Sequence, residues 1–560
     1  MRRTRLWVAA GCCFLAGVFV AALATPASAG GRAAAMKPTL NIAVDSTDVD
    51  HSDPALSYSV LGWQMEQETC DTLVGFSDHS GSVGNSISPL AAAAMPVITN
   101  GGKTYTFTIR SGLHFSNGDA VTAAKFKYAF DRDALKNLNS PVTAFMGDVV
   151  GWTAENDNSS IKSVAGVVAS GQELTIKLVK PDGTILPKLA LPFFCPLTKN
   201  SALWTGSQWL DSNYNGAFPG NGPYYLASRT VGEQMVLQRN THYSGPKLHK
   251  ANAIVMNMNV RPNTAYDGIS NGTYAADANG NPEPANNKQL FDTYGKNKTQ
   301  FWVEPTSIIS YLVMNEARPT FQPSHLKLRQ AVNMVVDRPG FVNISGFLSG
   351  TPQTQVLPKA LAGSHWKANY AYPITTPNQA RFDAAKTLGN NCDNPAHITF
   401  LVGQSSTTQS RAVLIGTDLE RIGCIVTDIS ECGYQGCYGA AATKGAPWDI
   451  FATSWSDDFP DGYDWFGILF NGRTIRPNNN NDLAYMNNAT VNRRTDACNK
   501  LSGSARANCW GALDQWMTAN VAPWATLAAV NFVDYIAPNA HNYHFDAPLA
   551  SADLGLLYQS

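Results

Sequence analysis

The sequence predicts an α/β protein with mixed sheets, divided into at least two lobes. The chain has 560 residues, which exceeds one ordinary domain, so we expect at least two lobes. The segment 397–428 has the strand–helix–strand pattern of a parallel crossover with a right-handed connection. Elsewhere, short stretches in which apolar and polar residues alternate predict antiparallel strands.

The first half of the chain alternates half-buried strands with one clear helix. Thr122 is placed to cap a helix whose buried side carries Ala123, Phe126 and Phe130. Alternating apolar residues predict four strands, over residues 39–44, 104–109, 173–179 and 234–238.

The second half contains the clearest unit. His397–Val402 is predicted as a strand, the helix that follows ends at Gly423, and Cys424–Asp428 is the next strand. Apolar residues at helical spacing mark the buried face of that helix, namely Ala412, Ile415, Leu419 and Ile422. Ser324 precedes a second helix of this kind, and the Asn- and Gly-rich stretch 271–297 is predicted as a surface loop.

The N-terminus has the pattern of a secretory leader. Met1–Arg5 carries three arginines, residues 6–24 carry no charge, and residues 25–29 end in Ala-Ser-Ala. We therefore expect residues 1–29 to be removed, and the protein to be exported to the cell envelope or beyond. An uncleaved membrane anchor is the alternative, because 19 apolar residues could span a bilayer. Loss of the leader leaves 38 basic residues against 42 acids and no basic run, which argues against a nucleic-acid partner.

Eight of the ten cysteines follow the leader. An exported chain favours disulfides, although 105 pairings of eight cysteines are possible. Sequence separation favours local bridges Cys432–Cys437 and Cys498–Cys509, with Cys392–Cys424 next and Cys70–Cys195 as the remaining pair. A metal site is the alternative, but no CxxC motif occurs, so we expect no metal and no cofactor.

Several short segments resemble, in order, those of the extracellular solute-binding protein family 5, the dipeptide- and oligopeptide-binding components of ABC importers. The segments include residues 102–110 (GKTYTFTIR), 112–119 (GLHFSNGD), 220–226 (GNGPYYL), 236–240 (VLQRN) and 455–461 (WSDDFPD). The resemblance implies a periplasmic-binding-protein-like fold, with a ligand cleft between two lobes and hinge closure over the ligand.

The resemblance also implies a division of the chain. Lobe I would comprise residues 30–308 with an extra subdomain at about 74–210, lobe II residues 309–520, and residues 521–560 would return to lobe I. The implied partners are a short peptide and the permease subunits of an importer, and the protein is expected to act as a monomer.

The same resemblance predicts which residues bind the ligand, and most of them lie in the segment that begins at Trp455. Asp458 matches the family position that pairs with the α-ammonium of the ligand, and Asp457 is the alternative if the register slips by one. Trp455 and Tyr463 offer apolar contact to ligand side chains, whereas Trp448 and Trp465 are expected in the core. Tyr311, near a predicted lobe crossing, is a further candidate contact. Family members usually carry Asp-Pro in this motif, but here Pro460 precedes Asp461, which puts strict peptide specificity in doubt.

The ligand carboxylate would need a cation, and two arginines lie close by in sequence. Arg473 and Arg476 would both serve, but neither aligns with a family motif. The same family also binds oligosaccharides, opines and metal chelates, so a non-peptide solute is the main alternative, and a ligand sensor is another. An enzyme is less favoured, because the sequence lacks the H-E-x-x-H motif of zinc proteases and has no S-x-x-K motif followed by K-T-G.

Overall fold

Two mixed sheets form the framework of the computed structural model, and two long strands of one sheet also pack in the core of the other. The structure describes residues 38–45, 49–76, 86–158, 160, 162–210, 214–280, 283–389, 396–423, 425–432 and 434–560. The predicted leader (residues 1–29) and the predicted Cys392–Cys424 bridge lie outside these residues.

Most strands of the described residues are short. In chain order they are β1 Leu40–Ala43, β2 Val74–Phe76, β3 Ile87–Pro89, β4 Val97–Thr99, β5 Thr104–Thr108, β6 Val167–Ser170, β7 Glu173–Lys177, β8 Tyr224–Thr230, β9 Gln234–Arg239, β10 Ala253–Asn257, β11 Ala276–Asp277, β12 Phe301–Met314, β13 Gly350–Pro352, β14 Ala396–Gly403, β15 Ile425–Cys432, β16 Ile450–Trp455, β17 Trp524–Tyr535, β18 Ala540–His541, β19 Phe545–Asp546, β20 Ser551–Ala552 and β21 Tyr558–Gln559.

The α-helices lie between these strands. In chain order they are α1 Val60–Thr69, α2 Ala123–Asp133, α3 Trp152–Asp157, α4 Ile185–Leu189, α5 Pro262–Ser270, α6 Asn287–Tyr294, α7 Leu326–Val335, α8 Arg338–Ile344, α9 Gln379–Gly389, α10 Ser406–Arg421, α11 Tyr434–Ala441, α12 Ala489–Asn499 and α13 Gly503–Asn520. Among the described residues, no helix has the length and apolar character needed to cross a membrane.

The first large sheet has the strand order β11-β1-β10-β9-β8. Strand β1 is parallel to both β10 and β11, so the expectation that strands outside 397–428 are antiparallel is wrong for this pair of contacts. The long chain between β1 and β10 makes a parallel return possible, which a tight hairpin cannot provide. Strands β8, β9 and β10 are antiparallel, as expected.

The second large sheet has the order β13-β17-β12-β16-β14-β15. Strands β14 and β15 are parallel with α10 between them, which confirms the predicted crossover. Gly423, with φ of 75°, follows the end of α10, as its left-handed conformation allows. The order places β16 between β12 and β14, so the acidic segment that follows β16 starts from the centre of this sheet.

A third sheet, of order β4-β5-β7-β6, belongs to the region predicted as an extra subdomain. On β5, Tyr105 and Phe107 are buried on one face, as the alternation predicted. Helix α2 begins at the predicted residue and buries Phe126 and Phe130, although the Thr122 side chain makes no capping hydrogen bond.

Strands β12 and β17 belong to two hydrophobic cores at once. At one end, Phe301 of β12 packs with Tyr535 of β17 in the core of the five-stranded sheet. At the other end, Leu312 and Leu527 pack in a core of the six-stranded sheet. The two strands are thus the physical connection between the sheets, and the predicted boundaries at 308 and 520 remain a prediction.

Two sequence predictions are corrected by the structure. The stretch 271–297 is not a surface loop throughout, because it contains β11 and α6, and Ala276 and Asp277 are buried beside β1. The helix expected after Ser324 begins at Leu326, because Pro323–His325 forms a 3₁₀ turn first. In both places, packing against residues distant in the chain favours a secondary structure that the local composition does not predict.

Three of the four predicted disulfides lie in the described residues and are formed. They are Cys70–Cys195, Cys432–Cys437 and Cys498–Cys509.

Candidate functional site

The acidic segment after β16 lies beside an irregular stretch of the neighbouring strand β12. Trp455 is the last residue of β16 and pairs with Ile309 of β12. Directly beyond β16, Asp457 accepts a hydrogen bond from the Ser307 hydroxyl, which lies in an irregular stretch of β12. The hydrogen bonds of β12 with both neighbours therefore fix the position at which the acidic segment begins.

Asp458 is contacted by Tyr58, a residue just before α1 in a distant part of the chain. The Tyr58 hydroxyl donates to Asp458 Oδ2 at 2.8 Å, and the two rings of Tyr58 and Trp455 lie 6.3 Å apart. Tyr58 is held in place by its neighbour Ser59, which caps α1 by accepting from the Gly62 amide at 3.1 Å. The contact joins residues 400 positions apart in sequence.

A third carboxylate, Asp464, completes the cluster. Its Oδ2 accepts hydrogen bonds from the Trp455 indole at 3.0 Å and from the Asp458 amide at 3.1 Å. Its Oδ1 is buried and has no hydrogen-bond partner among the described residues. We call Asp457, Asp458 and Asp464 the acidic cluster.

Burial and mutual repulsion disfavour the charged form of all three acids. Desolvation raises the pKa of Asp457 to about 6 and that of Asp458 to about 7. Burial, followed by repulsion from Asp458, raises the pKa of Asp464 well above its usual range. Within the described residues no lysine, arginine or histidine forms an ion pair with any of the three. A cation brought by a ligand would therefore be stabilised strongly here.

The neighbouring acid Asp461 is already neutralised. Its two carboxylate oxygens accept from Arg506 at 2.6 and 2.7 Å. At the departure from the family motif, Pro460–Asp461, the Asp461 carboxylate thus forms a structural ion pair with Arg506. The acidic cluster is left without a cation.

A small cavity opens beside Asp458. It has a volume of about 50 Å³, and its wall also includes Trp63 and Glu66 of α1. Glu66 is buried, and desolvation followed by repulsion from Asp53 and Asp50 raises the pKa of its carboxyl well above the usual range. Lys247 lines the same cavity, but its ammonium donates to two carbonyls of residues 67 and 70 and lies 3.6 Å from Asp71. The cavity is large enough for an ammonium group and bears carboxylates from both sides.

Two further cavities, of about 230 and 190 Å³, share the residues Ser310, Phe341 and Arg411. The second of them is also lined by Ser454, four residues before Asp458. An extended chain spans about 3.5 Å per residue, so this lining begins within roughly 14 Å of the acidic cluster. Together the two cavities provide space on the same stretch of sheet for an elongated ligand.

Arg411, on α10, is the residue at these cavities that the sequence did not indicate. Its guanidinium lies 4.4 Å from the centre of the Phe341 ring and donates to the Ser345 hydroxyl. Its Nε is buried and has no acceptor among the described residues. Burial lowers the pKa of Arg411 to about 10. Arg411 forms no ion pair in the described part of the chain. A bound anion beside its guanidinium would therefore be neutralised by the arginine charge. No sequence motif marks this arginine, because its role depends on the space around it.

The predicted ligand residues are brought together in part. Trp455, Asp457 and Asp458 adjoin each other, whereas the Tyr463 ring lies 4.8 Å from the Lys188 ammonium, which itself pairs with buried Asp182 at 2.7 Å. Tyr311 is fully buried, and its ring is stacked on Trp524 with centroids 3.4 Å apart. Trp448 and Trp465 lie in the core, as expected. Contact of any of these residues with a ligand remains a prediction.

The arginines near the acidic segment differ in their surroundings. Arg473 is half-exposed and forms a two-bonded ion pair with Asp496. Arg476 instead lines a fourth cavity, of about 570 Å³, which Tyr58 also lines.

Comparison with known proteins assigns the family. Residues 86–476 match the model of the bacterial extracellular solute-binding proteins, family 5 Middle, and the chain belongs to this family of binding proteins. Among curated relatives it is 27% identical to Protein XP55 of Streptomyces lividans, over 40% of this chain and 39% of that protein. It is also 27% identical to the oligopeptide-binding protein OppA of Bacillus subtilis, over 43% of each chain. The matches thus span about two fifths of these relatives' length.

Solved structures show the two-lobed fold of such binding proteins. The murein tripeptide binding protein MppA of Escherichia coli matches with a TM-score of 0.77 at 19% identity, covering 94% of this chain and 99% of that one. Its unliganded open form matches over 94% of this chain and 98% of that one, with a TM-score of 0.64 and 19% identity. The predicted fold class, a two-lobed α/β protein with mixed sheets, is confirmed.

Proposed function

We propose that this protein is the exported solute-binding component of an ABC importer and that it binds short peptides between its two lobes. The observation that carries the proposal is the acidic cluster. Its three carboxylates are buried, and none of them forms an ion pair with a cation in the described residues. A peptide α-ammonium is a cation of the right size to enter beside Asp458 and would offset their desolvation.

The second anchor is the unpaired guanidinium of Arg411. A free peptide carboxylate could accept from its buried Nε, and arginine binds carboxylates with good geometry. The lining of the Arg411 cavities begins within roughly 14 Å of the acidic cluster, which corresponds to no more than about four extended residues. We expect a short peptide whose backbone lies beyond the end of β16.

Relatives and fold support this reading. The matched relatives include an oligopeptide-binding protein, and a structural neighbour is described as a murein tripeptide binding protein. We expect peptide release to a membrane permease after lobe opening, with no bond made or broken in the ligand. The alternative, an uncharged saccharide, would leave the acidic cluster and Arg411 uncompensated, and we therefore favour a zwitterionic ligand.

The proposal is tested by native mass spectrometry with three tripeptide libraries: unmodified, N-acetylated and C-terminally amidated. We expect adducts with the unmodified library, loss of adducts on acetylation, and weaker adducts on amidation. Arg411→Gln should remove the difference between free and amidated peptides. Arg421→Gln is the matched control, because Arg421 lies on the same helix and stacks on Phe382 at 3.7 Å outside these cavities. Equal binding of acetylated and unmodified peptides, or retention of saccharides alone, would overturn the proposal.

A further inference from the structure

A cavity of about 570 Å³ lies beside Tyr58. One wall comes from segments within residues 50–58 and 137–144, and the other from segments within 438–442 and 468–481. Because Tyr58 also bonds to Asp458, this cavity opens next to the proposed position of the peptide amino terminus. It is large enough for a side chain of the ligand together with water.

Arg476 supplies the guanidinium at this cavity. Its backbone is fixed by Asn480, whose side chain accepts from the Arg476 amide at 2.7 Å and donates to the Arg476 carbonyl at 2.7 Å. Arg476 Nη1 donates to the Thr143 hydroxyl at 2.9 Å, on the opposite wall. The guanidinium is thus held in one place by both walls before any ligand enters.

The charge of Arg476 is poorly compensated. Burial lowers the pKa of the Arg476 guanidinium, and the charge of Asp157, an exposed residue, opposes this shift. Arg476 makes no ion pair with any residue the structure describes. The acid on the cavity wall, Asp50, accepts from the Tyr58 amide and from the Ser59 hydroxyl.

The rest of the lining is mostly neutral and polar. Amide side chains predominate, including Asn139, Asn479 and Asn481. Amides can hydrogen-bond either charged or neutral groups, so they do not select for charge by themselves. The partly buried cation therefore sets the charge preference of the cavity.

We infer that Arg476 selects peptides that carry an acidic side chain, with the Asp or Glu carboxylate of the ligand bound in this cavity. The inference rests on the proposed peptide-binding function and extends it to side-chain specificity. A carboxylate would gain charge-assisted hydrogen bonds to a guanidinium that is already positioned. A neutral amide of the same shape would bind the asparagines equally well but would leave the cation unpaired.

The expected preference follows from the strength of such bonds. A hydrogen bond to a charged group contributes more than a neutral one, and the difference corresponds to roughly 10- to 100-fold in affinity. A glutamate peptide should therefore bind about 10- to 100-fold more tightly than its glutamine counterpart.

The test is calorimetric titration with alanine tripeptides that contain one glutamate, at each position in turn, and with the three matching glutamine peptides. We expect one glutamate peptide to bind about 10- to 100-fold more tightly than its glutamine match. Arg476→Gln should abolish that difference while leaving the affinity for the glutamine peptide within about threefold. Arg473→Gln, whose arginine pairs with Asp496 instead, should keep the preference.

A second control separates charge recognition from lobe closure. Thr143→Val removes the bond between the walls but leaves the guanidinium, so it should keep the preference for glutamate and change the affinity for both peptides of a pair by the same factor, of no more than about threefold. Equal affinity of the unaltered protein for all glutamate and glutamine pairs would overturn the inference alone. An equal loss for both peptides in Arg476→Gln would do the same. Absence of binding to any peptide would overturn the proposed function and this inference together.

Discussion

At the scale of single residues, the chemistry of this protein depends on buried charges that lack a partner. Asp458 is 7% exposed and bonds only to neutral donors, and the Arg411 Nε is buried without an acceptor. Each unpaired charge costs folding free energy. Such a cost is expected at a binding site, where the ligand supplies the missing partner.

Asp458→Asn should separate binding from stability. Burial raises the pKa of Asp458 to about 7, so this group lowers the stability of the folded state progressively as the pH rises from its unfolded value of 3.8 to about 7. Removing the charge should raise the free energy of unfolding by several kcal/mol at pH 8 and by clearly less at pH 5. Affinity for a free-amine peptide should fall by roughly 100-fold or more.

Urea unfolding at the two pH values and calorimetric titration check both effects. Asp496→Asn serves as the control, because Asp496 is half-exposed and pairs with Arg473 away from the cluster. A variant Asp458→Asn that is no more stable at pH 8 and binds peptide normally would contradict the assignment of Asp458.

At the scale of elements, the disulfides join parts of the fold at very different sequence separations. Cys70, the residue after α1, is bridged to Cys195 across 125 residues, whereas Cys432 and Cys437 are five residues apart. Both Cys70 and Cys195 line the small cavity beside Asp458. The long bridge therefore ties α1, which carries Glu66, to the wall of this cavity formed by residues 190–195.

Removal of the long bridge should cost more than removal of the short one. Loop-closure entropy predicts a loss of about 5 kcal/mol for Cys70→Ser/Cys195→Ser and about 2 kcal/mol for Cys432→Ser/Cys437→Ser. Denaturant unfolding of the two double variants gives the comparison. Equal losses would show that the bridges act through native-state contacts rather than through the unfolded chain.

At the scale of the whole molecule, many acids are buried with raised pKa values. Desolvation is the largest cause for Glu155, with a pKa of about 8, and for Asp277 and Glu316, each with a pKa of about 7. The folded protein therefore holds more protons than the unfolded chain between about pH 4 and pH 8. Stability must then decrease as the pH rises through this range.

The ligand-free protein should accordingly have its highest melting temperature near pH 5 and a lower one at pH 8. Differential scanning calorimetry at constant ionic strength measures this trend. Saturating peptide should reduce the slope, because a bound ammonium favours the ionised form of the acidic cluster. A melting temperature that rises from pH 5 to pH 8 without ligand would contradict the argument.

The sequence by itself determined the local elements and the family. The alternation at 104–109, the crossover at 397–428 and the bridges Cys432–Cys437 and Cys498–Cys509 were predicted because each depends on residues close in sequence, whereas Cys70–Cys195 was predicted only as the remaining pair. It also indicated the acidic segment after Trp455, because the motif there is contiguous. The parallel pairing of β1 and the helix within 271–297 were not predicted, since each depends on partners distant in the chain.

Only the tertiary structure decided which charges remain unpaired. Asp461 and Asp458 are three residues apart. Asp461 forms an ion pair with Arg506, whereas the Asp458 carboxylate accepts a hydrogen bond from the neutral hydroxyl of Tyr58. Arg473 and Arg476 are equally close in sequence, yet one is neutralised at the surface and the other faces a cavity. The physical reason is that the electrostatic free energy of a side chain depends on burial and on the charges around it in space, and a linear sequence specifies neither.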